Sequence, residues 1–313
     1  MTSLTIRHVT TYRYRHPVAF GEHRMMLRPR ESHDQKVIEA TLGITPPPSS
    51  LRFAEDAFGN HVAIAHFAER SAELSFESVV SLEHSPSQTV SLELAERART
   101  FPVRYDGGEM PQHAPCLQPL HPDPDGELAR WARQFLSDGG PIQESIDTLE
   151  LLIRLSQGIH RGLVYRRREA KGIQPPLETL RLGHGSCRDF ALLMIEAARS
   201  LGLAARFASG YLAPPFDETP SDVAPSDRAP EPTGTAAVDS PRGATHAWAQ
   251  IFLPGAGWVD FDPTSGSVGK TALVTVAVVP DPYDATPLHG TFVGSASDTL
   301  GMEVHVSVTS GSA

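Results

Sequence analysis

Gly183-His184-Gly185-Ser186-Cys187-Arg188-Asp189-Phe190-Ala191-Leu192-Leu193-Met194-Ile195-Glu196-Ala197-Ala198-Arg199-Ser200-Leu201-Gly202 is the stretch on which the reading of this chain turns. Ser186 is a favoured helix N-cap, and Asp189 places a carboxylate three residues later, where a helix start favours one. Phe190, Leu193, Met194, Ala197, Ala198 and Leu201 recur at helical spacing, and Gly202 is placed to end the run. Gly183 and Gly185 suggest a flexible approach to it. The spacing predicts a helix that begins at Cys187. Free N–H groups and the helix dipole favour a thiolate there. A cysteine so placed is a candidate nucleophile if a histidine reaches it. A free cysteine is as readily a small buried hydrophobe, so the local context leaves both readings open.

A partner lies downstream in Thr245-His246-Ala247-Trp248-Ala249-Gln250-Ile251-Phe252-Leu253-Pro254-Gly255-Ala256-Gly257-Trp258-Val259-Asp260-Phe261-Asp262-Pro263-Thr264. Both arms are rich in aromatic and β-branched residues around a Pro-Gly-Ala-Gly turn, which predicts a β-hairpin. His246 opens one arm and Asp262 closes the other. With these residues in view, the chain resembles the transglutaminase-like superfamily in its bacterial form. Cys187 at a helix start, His246-Ala247-Trp248 and Gly257-Trp258…Asp262-Pro263-Thr264 match that family's three motifs in order, and Ser209-Gly210-Tyr211 adds to the likeness. Tyr12-Arg13-Tyr14 and the Asp56-to-Asn60 turn are similar to the β region found beside such cores. The tail departs from the pattern: Val279-Pro280-Asp281-Pro282-Tyr283-Asp284 stands where members often carry G-R-D-Y-x-D.

Composition bounds the rest. The chain has 313 residues, a length that suits about two domains. A formal net charge of -10 argues against nucleic acid or an anionic membrane as the main partner. No run approaches the ~18 apolar residues of a transmembrane helix, and the N-terminus lacks the apolar core of a secretory signal. Two cysteines do not make a disulfide framework, so a reduced, cytoplasmic protein is expected. Cys116, among prolines, reads as an incidental loop thiol. The histidines show no metal-site spacing, so no cofactor and no metal are expected.

In chain order, residues 1–100 alternate as β-strands, at 4–14, 23–28, 36–45, 60–67 and 72–82. An N-terminal β-sandwich-like domain is the expectation. Residues 101–124 read as a proline-rich linker. Residues 125–313 read as the core, with helices at 125–136 and 145–159 and a short one at Glu178-Thr179-Leu180. Arg166-Arg167-Arg168 reads as a solvated loop. A strand follows at 204–212, and 213–243, dense in proline, reads as a mobile loop. Two strand-like runs, 272–279 and 302–309, precede a frayed end at 310–313. The fold class is therefore α+β, and the resemblance implies a papain-like core with the nucleophile helix packed on an antiparallel sheet.

The resemblance also implies a Cys187, His246 and Asp262 triad that attacks the carboxamide or peptide bond of a protein or peptide through a thioester acyl-enzyme. An amine acceptor makes this a transglutaminase, and water makes it a peptidase or amidase. A non-catalytic protein-binding scaffold is the other class of reading. Asp260, two residues from Asp262, competes for the third role because strand side chains repeat with period two. A hairpin centred on Pro254 sets His246 opposite Asp262. A two-residue turn at Pro254-Gly255 sets Asp262 opposite Ala247, and a turn over Gly255-Ala256-Gly257 sets it opposite Gln250. The expectation is a turn over Leu253-Pro254-Gly255, or a bulge that restores the pairing.

Overall fold

A computed structural model describes residues 2–85, 92–137, 146–167, 172–213, 244–269 and 272–311. The N-terminal unit contains Thr2–Met25 (β1), Gln35–Thr45 (β2), Ser50–Glu55 (β3), His61–His66 (β4) and Ser71–His84 (β5), in the sheet order β2-β5-β1-β4-β3. The strand expected at 23–28 is not separate, because β1 runs on to Met25 and ends there. Pairing with β5 lapses between Arg13 and Val18, where Pro17 lacks a donor. The first half of β1 pairs with β5, and the second half turns to pair with β4. The unit is thus one curled sheet rather than two sheets laid face to face. Tyr14, Phe20, Leu74 and Phe76 pack inside the curl.

Glu96–Arg99 (α1) and Thr100–Phe101 (β6) lead into the segment expected to be a linker. That segment is packed structure. It holds the helix Met110–Leu117 (α2), and Tyr105 donates its hydroxyl to Phe252 O at 3.2 Å while accepting from Ala204 N at 2.9 Å. Glu127–Arg133 (α3) follows; Ile146–Asp147 (β7) pairs with β6 and enters Thr148–Gly162 (α4), where Asp147 caps the Glu150 N–H. Val164–Tyr165 (β8), Pro176–Leu182 (α5) and His184–Gly185 (β9) lead to Cys187–Ser200 (α6).

The Ser186 capping box forms as the sequence implies, with Asp189 accepting from the Ser186 N–H and hydroxyl at 2.8 Å each. The two glycines before it are fixed rather than flexible. Gly183 ends α5 at φ 67°, and a Cβ on Gly185 would lie 2.9 Å from Asp189 Cβ. The apolar stripe understates the burial of α6. Leu192 and Ile195, off the stripe, are buried too, as are Glu196 and Arg199. Glu196 and Arg199 form an ion pair at 2.8 Å. Glu196 Oε2 also accepts from Leu120 N and His121 N, and Arg199 donates to Cys116 O and Pro280 O. The pair therefore clamps the 110–121 segment onto the helix, and this buries Cys116, which is not a loop thiol.

Ala205–Leu212 (β10), Ala244–Leu253 (β11), Gly257–Asp262 (β12), Ser267–Val268 (β13) and Leu273–Val279 (β14) form an antiparallel sheet in the order β13-β12-β11-β10-β14. Helix α6 packs on β10 and β11. The loop expected at 213–243 lies, from 214 on, outside the described residues, as does Arg168. A bulge beside Gly210 drives β14 close to β10; a Cβ there would sit 1.9 Å from Val274 O. Gly210→Ala is expected to lower stability by about 1–3 kcal/mol, seen as a lower denaturation midpoint.

The tail does not belong to the core sheet. Leu288–Val293 (β15) and Thr299–Gly311 (β16) pair with β1 and so join the first sheet. Ser310 and Gly311, expected to fray, pair with Leu4 and Ser3. The two units meet along the edge of β14. Gln35 donates to Thr275 O at 2.8 Å and accepts from Thr275 N at 3.1 Å. Asn60 makes the same two-way contact with Val278 N and O at 2.9 Å.

Candidate active site

Cys187 sits at the first position of α6, partly exposed. His246 enters on β11 and Asp262 leaves on β12, both buried. The imidazole Nε2 lies 3.0 Å from Asp262 Oδ2; a carboxylate only accepts, so Nε2 donates. Nδ1 is left free of Asp262, and the Cys187 side chain acts on the imidazole together with that carboxylate. Asp262 is held in turn by the Ser265 hydroxyl at 2.8 Å and Thr264 N at 2.9 Å. Burial pushes the imidazole down, but the hydrogen bonds and charges of Asp262 and Cys187 outweigh it and raise His246 to about 9. Burial likewise disfavours the Asp262 charge, yet the hydrogen bond and charge of His246, with help from Ser265 and Thr264, hold the carboxyl below its ordinary range.

The family described as "Transglutaminase-like superfamily" matches residues 139–263, a span that contains all three of these residues, and "Bacterial transglutaminase-like N-terminal region" matches residues 4–83. This is a bacterial transglutaminase-like protein. An uncharacterized Mycobacterium tuberculosis protein is 27% identical over 315 residues, covering 97% of this chain and 91% of the relative. An uncharacterized protein of Mycobacterium leprae is 24% identical over 306 residues, covering 98% and 99%. A crystal structure from Cytophaga hutchinsonii, provisionally named a cysteine protease, superposes with a TM-score of 0.63 at 17% identity, covering 100% of this chain and 91% of that one. That likeness is one of fold.

The hairpin register of this transglutaminase-like protein differs from every pairing the sequence suggested. Leu253 pairs with Gly257, so the turn spans Pro254-Gly255-Ala256, with Gly255 at φ 94°. Continued along the strands, this pairing sets Asp262 across from Trp248, two residues from His246. The same face is kept, and the carboxylate reaches the imidazole on the diagonal, a distance of about 7–8 Å between backbones that side chains span. Asp260 faces the same side but is occupied by the Trp248 indole N–H and, at 2.8 Å, Gln250 Nε2. Trp248 stacks beside His246 with the ring planes 23° apart.

Three contributors were missed in the sequence. Ser265 follows the D-P-T motif in the tight turn, a position any turn residue fills. His160 Nδ1 bonds Thr264 O at 2.8 Å and holds that turn from α4. Tyr165 pairs with Gly185 in the loop that leads to Cys187, and burial, then the charges of Cys187 and Asp262, push its hydroxyl up. Only β8–β9 pairing, which spans about twenty residues of chain, brings it there.

The raised imidazole fixes a pH dependence. Its folded value lies above the ordinary ~6.5, so the pair stabilises the fold fully below about 6.5 and this contribution drains away as pH rises through about 9. Asp262 has the opposite sign: its contribution holds above the ordinary ~3.9 and is lost as pH falls through its lowered value. Acylation is expected to show an alkaline limb near 9, read from kcat/KM against pH. Asp262→Asn, which removes the charge that holds the imidazole up, should move that limb to lower pH. An unmoved limb would remove Asp262 from this role.

Proposed function

We propose that this chain catalyses cysteine-dependent acyl transfer from an amide of a protein or peptide. Cys187 Sγ attacks the amide carbonyl carbon, and His246 gives its proton to the nitrogen that leaves as ammonia or amine. Asp262 keeps the imidazole oriented and offsets its charge. The thioester that remains passes to an amine or to water. The reading is carried by one observation: a buried imidazole bonded to a carboxylate at 3.0 Å and coupled to the thiol at the first position of α6. A scaffold that merely kept the fold has no use for that arrangement. Both cysteines are unpaired, which fits a reducing, cytoplasmic setting.

The test is mass spectrometry of a glutamine-containing peptide with and without an added primary amine. An amine adduct supports transglutamination. Conversion of the side-chain amide to acid supports hydrolysis, and two fragments support peptidase action. Partial exposure of Cys187 admits water near the site, which favours hydrolysis as the second reading. Recovery of the peptide unchanged across a panel of sequences would overturn the proposal.

A further inference from the structure

On the core sheet, Arg206, Gln250 and Asp260 form one cross-strand row. Arg206 Nε donates to Gln250 Oε1 at 2.8 Å, and Gln250 Nε2 donates to Asp260 Oδ1 at 2.8 Å. Gln250 thus stands between the cation and the carboxylate. The guanidinium carbon lies 4.0 Å over the Trp258 ring, so one face is covered by indole and the Nε edge is used. Among the described residues Arg206 makes no ion pair, and it lines a cavity of about 150 Å³.

The other wall of this cavity comes from the N-terminal unit. Arg30 lines it, with Nη1 bonded to Phe58 O at 2.8 Å and Asn60 Oδ1 at 2.7 Å. Thr275 lines it as well; the residue is only 4% exposed, and its hydroxyl has no hydrogen-bond partner among the described residues. A buried hydroxyl without a partner is costly, and so is a guanidinium whose carboxylate, Asp260, is reached only through Gln250. Burial, followed by the nearby charge of Arg30, pulls Arg206 down to about 10, which is the same cost seen at the guanidinium. Glu31, the acid on the lining, is within 3.3 Å of Arg28.

We infer that this cavity between Arg206, Arg30 and Thr275 is a binding site for a small oxyanion. Arg206 supplies its paired Nη donors, Arg30 a second positive charge and Thr275 a hydroxyl donor. The volume admits a phosphate, a sulfate or a carboxylate group and is well below the ~300 Å³ at which pockets for larger ligands begin. A bound anion would join the N-terminal unit to the core sheet, because its donors come from both. The site is separate from the proposed chemistry and is tested without turnover.

The full chain is titrated with sodium phosphate, sodium sulfate or sodium acetate against sodium chloride at matched ionic strength. Tryptophan fluorescence, sensitive at Trp258, and the thermal midpoint are recorded together. At least one oxyanion should give a saturable fluorescence change and a raised midpoint that chloride does not give. Phosphate and sulfate acting alone would identify a tetrahedral ligand; acetate acting alone would identify a carboxylate. Arg206→Gln should weaken binding tenfold or more, and Thr275→Val, nearly isosteric, several-fold. If Arg206→Gln does not fold, Thr275→Val decides by itself. No saturable response beyond chloride, or an affinity unchanged in the folded variants, overturns the inference.

Discussion

Cys187→Ala is expected to abolish acyl-enzyme formation, by about four orders of magnitude or more in rate, with the fold intact. The thiol is the one group in the site able to form the covalent intermediate. Its removal leaves His246 bonded to Asp262, so the surrounding structure keeps its contacts. His246→Ala should cost almost as much, because members of such a unit fail together rather than additively. Cys116→Ala is the control. That thiol is buried on the inner side of the 110–121 segment and pushed upward by burial, so its loss should leave the rate within a few-fold. Intact-mass detection of a covalent adduct from an activated ester reads all three. Equal loss in Cys187→Ala and Cys116→Ala would mean that the nucleophile has been misassigned.

The largest effect on stability is expected at Glu196. Its carboxylate is fully buried against Arg199 and also receives two backbone N–H groups from the 110–121 segment. Glu196→Ala leaves the guanidinium without its counter-charge in the core, a change that typically costs about 3–5 kcal/mol. The segment loses its anchor in the same step. Glu196→Leu combined with Arg199→Met removes both charges and should recover part of the loss, since the remaining cost is packing rather than a stranded ion. Urea denaturation of the single and double variants measures the difference. A double variant less stable than the single would show that the backbone contacts of Arg199 matter more than the pair itself.

The core half of the fold was legible because its signals are local. A cap, a thiol and an apolar period mark the start of α6, and turn residues between aromatic arms mark the hairpin. The hairpin register was not, since Pro254-Gly255-Ala256-Gly257 accepts several turns and each one-residue shift changes the pairing. Burial of Glu196 and Arg199 was hidden for another reason: at helical spacing a charged pair looks like a solvated face until something covers it. What covers it is the 110–121 segment, whose prolines suggested a linker. The return of β15 and β16 to β1 was equally out of reach. Pairing between residues some three hundred positions apart leaves no trace in a short window of sequence.

The amides of Gln35 and Asn60 carry a consequence beyond holding two units together. Each presents an N–H and a C=O to the backbone of β14 and so behaves like a borrowed peptide group. An edge strand with free backbone groups is a template on which a second chain can build. Here that template is insulated at Thr275 and Val278 by those side chains and by the Arg30 N–H, with no further strand among the described residues. The seam between the two units is therefore a poor place to cut. A core severed from the first 85 residues would expose an apolar strand, Leu-Val-Thr-Val-Ala-Val-Val, with its edge uncovered, which is the makeup of an aggregating segment.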